Sequence, residues 1–453
     1  MTNEKYSIES LKKQVQKTYP DMPEYIQALE DVAEDVLAPE SSDSREVLEQ
    51  NWRALRYLSE PDRIINFRVA WVDDHNRRRF NRGYRVQFNN MLGPYKGGLR
   101  FNKALNTSVL CFLGFEQTFK NSLTGLPMGG AKGGSDFDPH GKSREEIQRF
   151  CEAFMTQLAR HIGPDIDVPA GDIGVGSAEI AYMFDQYRAI TGKFSGVLTG
   201  KHPVFGGSCF REEATGYGTV YFAEHLVKHE FDETLEDKVC AVSGAGNVAL
   251  HTAEKLLSKK AKVIALSNSK GTAHFKDGLQ QDMLERLKKH IGKRGDLQEF
   301  AEQQDITFKQ DKKPWALHPQ LAFACATQNE LDENDAKELI ENECLAVFEG
   351  ANMPCTSAAM QSFKKSPIIV APSKAVNAGG VAVSGLEISQ NRTRLRWQAD
   401  RVDKKLQEIM HTIFEACCAH GKTGENSAID YKRGANLAAF EQLSEALRWY
   451  GTA

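Results

Sequence analysis

Several things are missing from this 453-residue chain, and each absence narrows its function. No apolar run approaches the ~20 residues that span a bilayer; the longest are short stretches such as "PIIVAP", so a helical membrane protein is excluded. The 9 Cys are scattered, with Cys417 and Cys418 adjacent, but no CxxC pair and no Cys/His ligand spacing occurs. Neither a disulfide framework nor a structural metal site is therefore expected. The opening "MTNEKYSIESLKK" lacks an apolar core followed by a small-residue cleavage site, so a signal peptide is not expected, and the reading is a reduced, cytoplasmic protein. An excess of charge is absent too: 57 Lys+Arg against 61 Asp+Glu leave a net charge of −4. A global attraction for nucleic acid or acidic membrane is excluded, and any bound anion must be drawn by a local group of cations.

What is present is ordinary globular composition, 41% hydrophobic and 26% charged, over a length that suggests two or three domains. Residues 1 to about 60 read as charged helices, with apolar positions at helical spacing in "IQALEDVAEDVL". Strand-like text follows in "RIINFRVAWVDD" and "RGYRVQFNN", paired through the polar "HNRRRF" turn. "SREEIQRFCEAFMTQLARHIG" is a helix: Ser143 and Glu146 form a capping-box pattern, apolar residues recur every three or four positions, and Gly163-Pro164 ends it. "DIDVPAGD" reads as a further strand. Beyond residue 200 short apolar runs ("LAFACAT", "LAVFEGAN", "PIIVAP") alternate with polar helical text, the pattern of a parallel, doubly wound sheet. Residues 386 to about 420 read as one long amphipathic helix and 427–453 as another. The expected architecture is two α/β domains, 1–200 and 201–426.

"VSGAGNVALHTAEKL" carries Gly244-x-Gly246-x-x-Ala249 between a strand and a helix, with a second strand, "KVIALSNS", at the right distance. The first glycine permits the tight turn, the second lets backbone approach a pyrophosphate, and the helix start at Asn247 offers amide hydrogens to the anion. The second strand ends in Ser267-Asn268-Ser269-Lys270 without the carboxylate that usually bonds the ribose 2′-hydroxyl of NAD. The missing acid and the adjacent Lys270 favour NADP; the alternative is that Ser and Asn still serve the hydroxyls of NAD.

Three lysines stand in short motifs before residue 200: Lys96 in "GPYKGGLRF", Lys120 in "GFEQTFKNSLTG" and Lys132 in "LPMGGAKGGSDFDPHG". Gln117 and Lys120 share one helix face. Lys132 is not a phosphate-loop lysine, because Ala131 precedes it and Gly133 follows. Taken singly, each reads as a solvated surface charge. The glycines around Lys96 and Lys132 change that, since they let a ligand come close. If the lysines converge, mutual repulsion and desolvation favour a neutral amine near pH 7, while the remaining cations hold a dianion. Asp172, in "VPAGDIGVG", reads either as a turn aspartate or as a general acid/base facing the lysine.

With these residues in view, the chain resembles the hexameric glutamate dehydrogenases, NADP-linked microbial type, of the Glu/Leu/Phe/Val dehydrogenase family. The likeness runs in order through "GPYKGGLRF", "FEQTFKNSLTGLPMGGAKGGSDFDP", "RHIGPDIDVPAGDIGVG", "REEATGYG", "SGAGNVA", "FEGANMPCT" and "NAGGVAVSGLEISQN". The resemblance implies reversible oxidative deamination of L-glutamate to 2-oxoglutarate and ammonium with NADP, in a homohexamer. It implies a first domain, joined by a returning C-terminal helix, that binds substrate, and a second that binds coenzyme. Lys96 and Ser384 would hold the side-chain carboxylate, and Gln117 and Lys120 the α-carboxylate. Lys132 would be the catalytic lysine and Asp172 its proton partner. Gly171 would act through its backbone, Arg211 would order the cleft, and Thr215 and Asn247 would meet the coenzyme. Three positions depart from the pattern: Ala131 where glycine is frequent, Glu212 where proline is common, and Ala245 in place of a frequent serine, which weakens one argument for NADP. An NAD-linked enzyme, or a branched-chain or aromatic amino-acid dehydrogenase of the same family, is the alternative; polar residues at both Lys96 and Ser384 argue for a dicarboxylate.

Overall fold

In the computed structural model, residues 4–39, 44–293, 295–422 and 428–451 are described. The first sheet contains β1 (Arg63–Val72), β2 (Arg78–Asn89), β3 (Tyr95–Phe101), β4 (Gly130–Ser135) and β5 (Asp167–Gly171), in the order β1-β2-β4-β3-β5. The expected hairpin is there, Arg63 opposite Gln87 and Val72 opposite Arg78. β3 runs parallel to both β4 and β5 and lies between them. The strand at residues 130–135 is not what the sequence suggests, because three of its six residues are glycine and glycine is a poor strand former. Close backbone packing explains it. A Cβ on Gly130 would lie 2.0 Å from the Thr118 hydroxyl, one on Gly133 2.7 Å from the Tyr84 carbonyl, and Gly134 adopts φ +145° over the Arg100 carbonyl.

The second sheet is assembled from β6 (Val239–Val242), β7 (Lys262–Asn268), β8 (Gly271–His274), β9 (Thr307–Gln310), β10 (Leu321–Ala324), β11 (Ala346–Glu349) and β12 (Ile369–Ala371), ordered β12-β11-β10-β6-β7-β8-β9. The five strands from β12 to β7 are parallel and buried, as the apolar runs predict. β8 and β9 add an antiparallel edge. Chain order reverses between β6 and β10, so a crevice opens beyond their carboxyl ends, the place where such sheets bind ligands.

The capping box at Ser143 and Glu146 is formed, and the helix Arg144–Leu158 follows it. The long helix expected over 386–420 is instead two, Gly379–Thr393 and Ala399–Gly421. Arg394 takes a left-handed conformation (φ 55°) between them, and the Gln390 side chain accepts from the Trp397 amide. No glycine or proline marks that break. The last helix, Tyr431–Trp449, returns to the first half of the chain. Its Lys432 pairs with Asp31, Asn436 donates to Asp35 at 2.5 Å, and the Ala439 carbonyl accepts from Ser122 at 3.2 Å. Residues 427, 452 and 453 lie outside the described residues.

Helix Tyr431–Trp449 meets Ala399–Gly421 through Gly434, where a Cβ would stand 2.1 Å from the Cys417 carbonyl oxygen. Gly434→Ala is expected to cost about 1–3 kcal/mol through overpacking. Gly292→Ala, with open space at its Cβ, should be neutral or stabilising. Thermal unfolding of both variants checks this; equal midpoints would refute the packing argument.

Candidate active site

Three neighbouring strands of the first sheet present the site. Lys132 on β4 and Lys96 on β3 are almost wholly buried, and Asp172 follows directly on β5. The Lys132 Nζ stands 3.3 Å from Asp172 Oδ2, the same oxygen to which Arg100 Nε donates at 2.7 Å. Asp172 is thus no ordinary turn residue, although its carbonyl does accept from Val175 in a tight turn.

The glycine that clears room for this ion pair is not one of those flanking Lys132. A Cβ on Gly98 would fall 2.8 Å from the Asp172 Cβ and 3.3 Å from Lys132 Nζ. A Cβ on Gly97, beside it, would fall 1.6 Å from the Ala131 carbonyl oxygen and 3.3 Å from the Gln117 side chain. The expectation that glycines around Lys132 admit a ligand is corrected: Gly130, Gly133 and Gly134 seat the strand, and Gly98 makes the space.

Gln117 and Lys120 lie on the helix Thr107–Leu123 and line one cleft together with Lys132, Lys374, Asn352 and Met353. Across that cleft Asn352, in the loop after β11, accepts from Lys120 at 2.9 Å and from Asn377 at 3.0 Å. Lys374 is buried between Glu116, at 3.4 Å, and Asn436 of the last helix. Asn352, Lys374 and Asn377 escape a sequence reading because nothing in their spacing ties them to the lysines.

Electrostatics follow from burial. Withdrawal from water pulls the Lys132 ammonium down; Asp172 opposes that shift and Arg100 reinforces it. The sequence argument credited neighbouring lysines, and for Lys132 the acting cations are two arginines, Arg100 and Arg85. Lys120 is drawn down to about 8, first by desolvation and then by the charge of Lys132. Burial alone would raise the Asp172 carboxyl, but Lys132 and Arg100 outweigh it and hold it below its usual range. Lys96 is pushed far down by burial, then by Arg211 and Arg85. Arg85 is itself fully buried against Asp167 and donates to the Gly97 carbonyl at 3.2 Å.

Ser384, on Gly379–Thr393, accepts from Arg211 Nε at 3.0 Å. Arg211 precedes the helix Ala214–Phe231, in which the Thr215 hydroxyl lies close against Gly380. Asn247 donates to the Glu212 carbonyl at 2.7 Å, joining the glycine turn to that segment. In the turn, Gly244 has φ +91° and its amide donates to the Ser267 hydroxyl at 3.1 Å. Gly246 caps the helix Asn247–Ser258 with open space around its Cβ position. A free helix start, a bare glycine face and two small residues at the strand ends fit a dinucleotide pyrophosphate. At the end of β7, the Asn268 side-chain oxygen is taken by the Lys270 and Gly271 amides. Lys270 is not a free cation: it pairs with Asp296 at 2.5 Å.

This cleft, with a buried lysine–aspartate pair beside a dinucleotide cradle, defines an amino-acid dehydrogenase site. The chain matches the family described as Glutamate/Leucine/Phenylalanine/Valine dehydrogenase over residues 206–451, and that family's dimerisation domain over 61–189. It belongs to the Glu/Leu/Phe/Val dehydrogenase family. It is 51% identical to the NAD(P)-specific glutamate dehydrogenase of Xylanibacter ruminicola, covering 96% of this chain and 97% of that protein. Identity is 47% to the NADP-specific glutamate dehydrogenase of Escherichia coli over 98% of both chains. It is also 47% to the NAD-specific glutamate dehydrogenase of Clostridium symbiosum, over 97% of this chain and 98% of that one. The crystal structure of Plasmodium falciparum glutamate dehydrogenase superposes with TM-score 0.94 at 47% identity, covering 98% of this chain and 94% of that one.

Lys120 should carry its proton below about pH 8 and lose it above. Its acylation, followed by peptide mapping, is expected to reach half its maximum near pH 8, and Lys132→Met should move that midpoint upward. A midpoint near 10.5, the ordinary lysine value, would contradict the desolvated cleft.

Proposed function

We propose that the chain is a glutamate dehydrogenase that interconverts L-glutamate and 2-oxoglutarate plus ammonium, with NADP as coenzyme. The observation that carries this reading is the convergence of Lys132, Asp172, Lys120 and Gln117 on one cleft, continuous through Ser384, Arg211 and Asn247 with the glycine turn. Lys96 and Ser384 hold the side-chain carboxylate, and Lys120 and Gln117 the α-carboxylate. The Gly171 backbone at the end of β5 faces the substrate. Gly244, Gly246, Asn247, Thr215, Ser267, Asn268 and Lys270 form the coenzyme side. The domain partition near residue 200, with the last helix joining the first domain, is supported by the contacts of Lys432 and Asn436.

The bound nicotinamide supplies the acceptor for the hydride that leaves Cα of glutamate. This chain's residues do the rest. Lys132, neutral once its proton has gone to Asp172 or solvent, takes a proton from a water as that water attacks the imine carbon. The resulting ammonium stabilises the carbinolamine oxygen, and Asp172 hands a proton to the departing amine. Assistance of this kind is worth ~10²–10⁴ in rate. Arg100 keeps Asp172 ionised between turnovers. Closure of the cleft excludes competing water.

One observation supports the NAD-linked alternative: the Asp296 carboxylate already neutralises Lys270. We also infer a homohexamer and a cytoplasmic location. Among the described residues no helix is long and apolar enough to cross a membrane.

Lys132→Ala is expected to abolish turnover, a loss of at least about 10², while leaving NADP⁺ affinity of the free enzyme within a few fold; retained turnover refutes the role. The kcat/KM for NADP⁺ should exceed that for NAD⁺. The reverse ratio would hand the coenzyme assignment to NAD.

A further inference from the structure

The side chains of Lys201 and Glu387 are completely withdrawn from water and stand 2.8 Å apart, Nζ to Oε1. Neither belongs to the machinery described above. The other Glu387 oxygen accepts from the Gly200 amide at 2.9 Å, and Lys201 also donates to the Leu198 carbonyl. The pair joins two distant parts of the chain. Leu198 sits in the apolar core beneath the first sheet, and the Thr199 amide donates to the Pro169 carbonyl on β5 at 3.0 Å, three residues from Asp172. Glu387 lies on Gly379–Thr393, one turn beyond Ser384. Gln390 and Asn391 of the same helix grip Ser208 and the Gly206 carbonyl at 2.8 and 2.9 Å, so the segment 198–208 is clamped along that helix at three successive points.

A buried ion pair rarely earns its place through stability, since a well-packed apolar pair of similar volume often does as well. What this one adds is a fixed seat for the helix turn that carries Ser384. Lys96 is 1% exposed, and among the described residues no carboxylate comes within ion-pair distance of it. Four charged groups act on it: Arg211 and Arg85 oppose its ammonium, Glu387 and Asp167 favour it. Asp167 is committed to Arg85 through both oxygens. Glu387 has both oxygens engaged, by Lys201 and by the Gly200 amide, and so fixes the helix turn that carries Ser384.

Building on the assignment of Lys96 and Ser384 to the side-chain carboxylate, we propose that Glu387 is a positioning residue for substrate selection. Anchored by Lys201 one helical turn from Ser384, it fixes the depth at which the Ser384 hydroxyl sits, so that a side chain ending in a carboxylate is preferred over an apolar one of equal reach.

The test is steady-state kinetics of Glu387→Gln with L-glutamate and L-norvaline from pH 6 to 9. KM for glutamate is expected to rise about tenfold or more, one hydroxyl–carboxylate hydrogen bond being worth that much. kcat with glutamate and kcat/KM with norvaline should change less than about threefold, as neither draws on that contact. Parallel losses on both substrates, or an unchanged KM for glutamate, would overturn the proposal and leave the pair a structural clamp. If the single variant does not fold, Lys201→Met/Glu387→Gln, which strands no buried charge, is read by the same criteria. Lys96→Leu separates the two levels of inference: if it does not shift the glutamate-to-norvaline ratio, the carboxylate assignment itself is wrong, whereas a shift there with none in Glu387→Gln refutes only the role of Glu387.

Discussion

The structure depends on taking cations out of water and answering each with a limited number of anions. Lys96, Lys132 and Arg85 are buried within adjacent strands, and Lys120 faces the same cleft. Moving such charges from water is costly, and the cost appears either as a paired carboxylate or as a lowered affinity for the proton. Arg85 takes the first course, fully paired with Asp167. Lys132 takes both, touching Asp172 yet drawn below the ordinary range by burial. Lys96 has no touching anion, which leaves room for a substrate carboxylate to become one.

Backbone geometry serves this arrangement. Parallel pairing sets Leu99 of β3 beside both Gly133 and Gly171, which places Lys132, Gly98 and Asp172 around one small volume. Only a residue without a side chain fits at position 98. The second half of the chain supplies the opposing wall, Asn352 from the loop after β11 and Lys374 and Ser384 from helices that follow β12.

The legible part of the sequence was whatever local physics dictates. The capping box at Ser143, the β1–β2 hairpin, the parallel apolar strands and the turn at Gly244 all follow from periodicity or from one backbone requirement. Strand β4 was hidden because its glycines are there for close packing against Thr118 and Tyr84, and such packing is invisible until the neighbours are known. The break at Arg394 was hidden for a related reason: a distant-looking side chain, Gln390, caps it, not a glycine. Within the site, Lys132, Asp172, Lys120 and Gln117 were reachable from motifs. Arg100, Asn352, Glu387 and the neutralising Asp296 were not, since each acts through a contact far along the chain.

The central claim is that burial sets the lysine and Asp172 restrains it. Selectively labelled lysine followed by NMR through a pH titration reads that balance directly. Lys132 should lose its proton below 10.5, the ordinary lysine value, and Asp172→Asn, which removes the group holding the proton on, should lower the midpoint further. A Lys132 that titrates at or above that value, or a midpoint that rises when the aspartate is neutralised, would contradict the account.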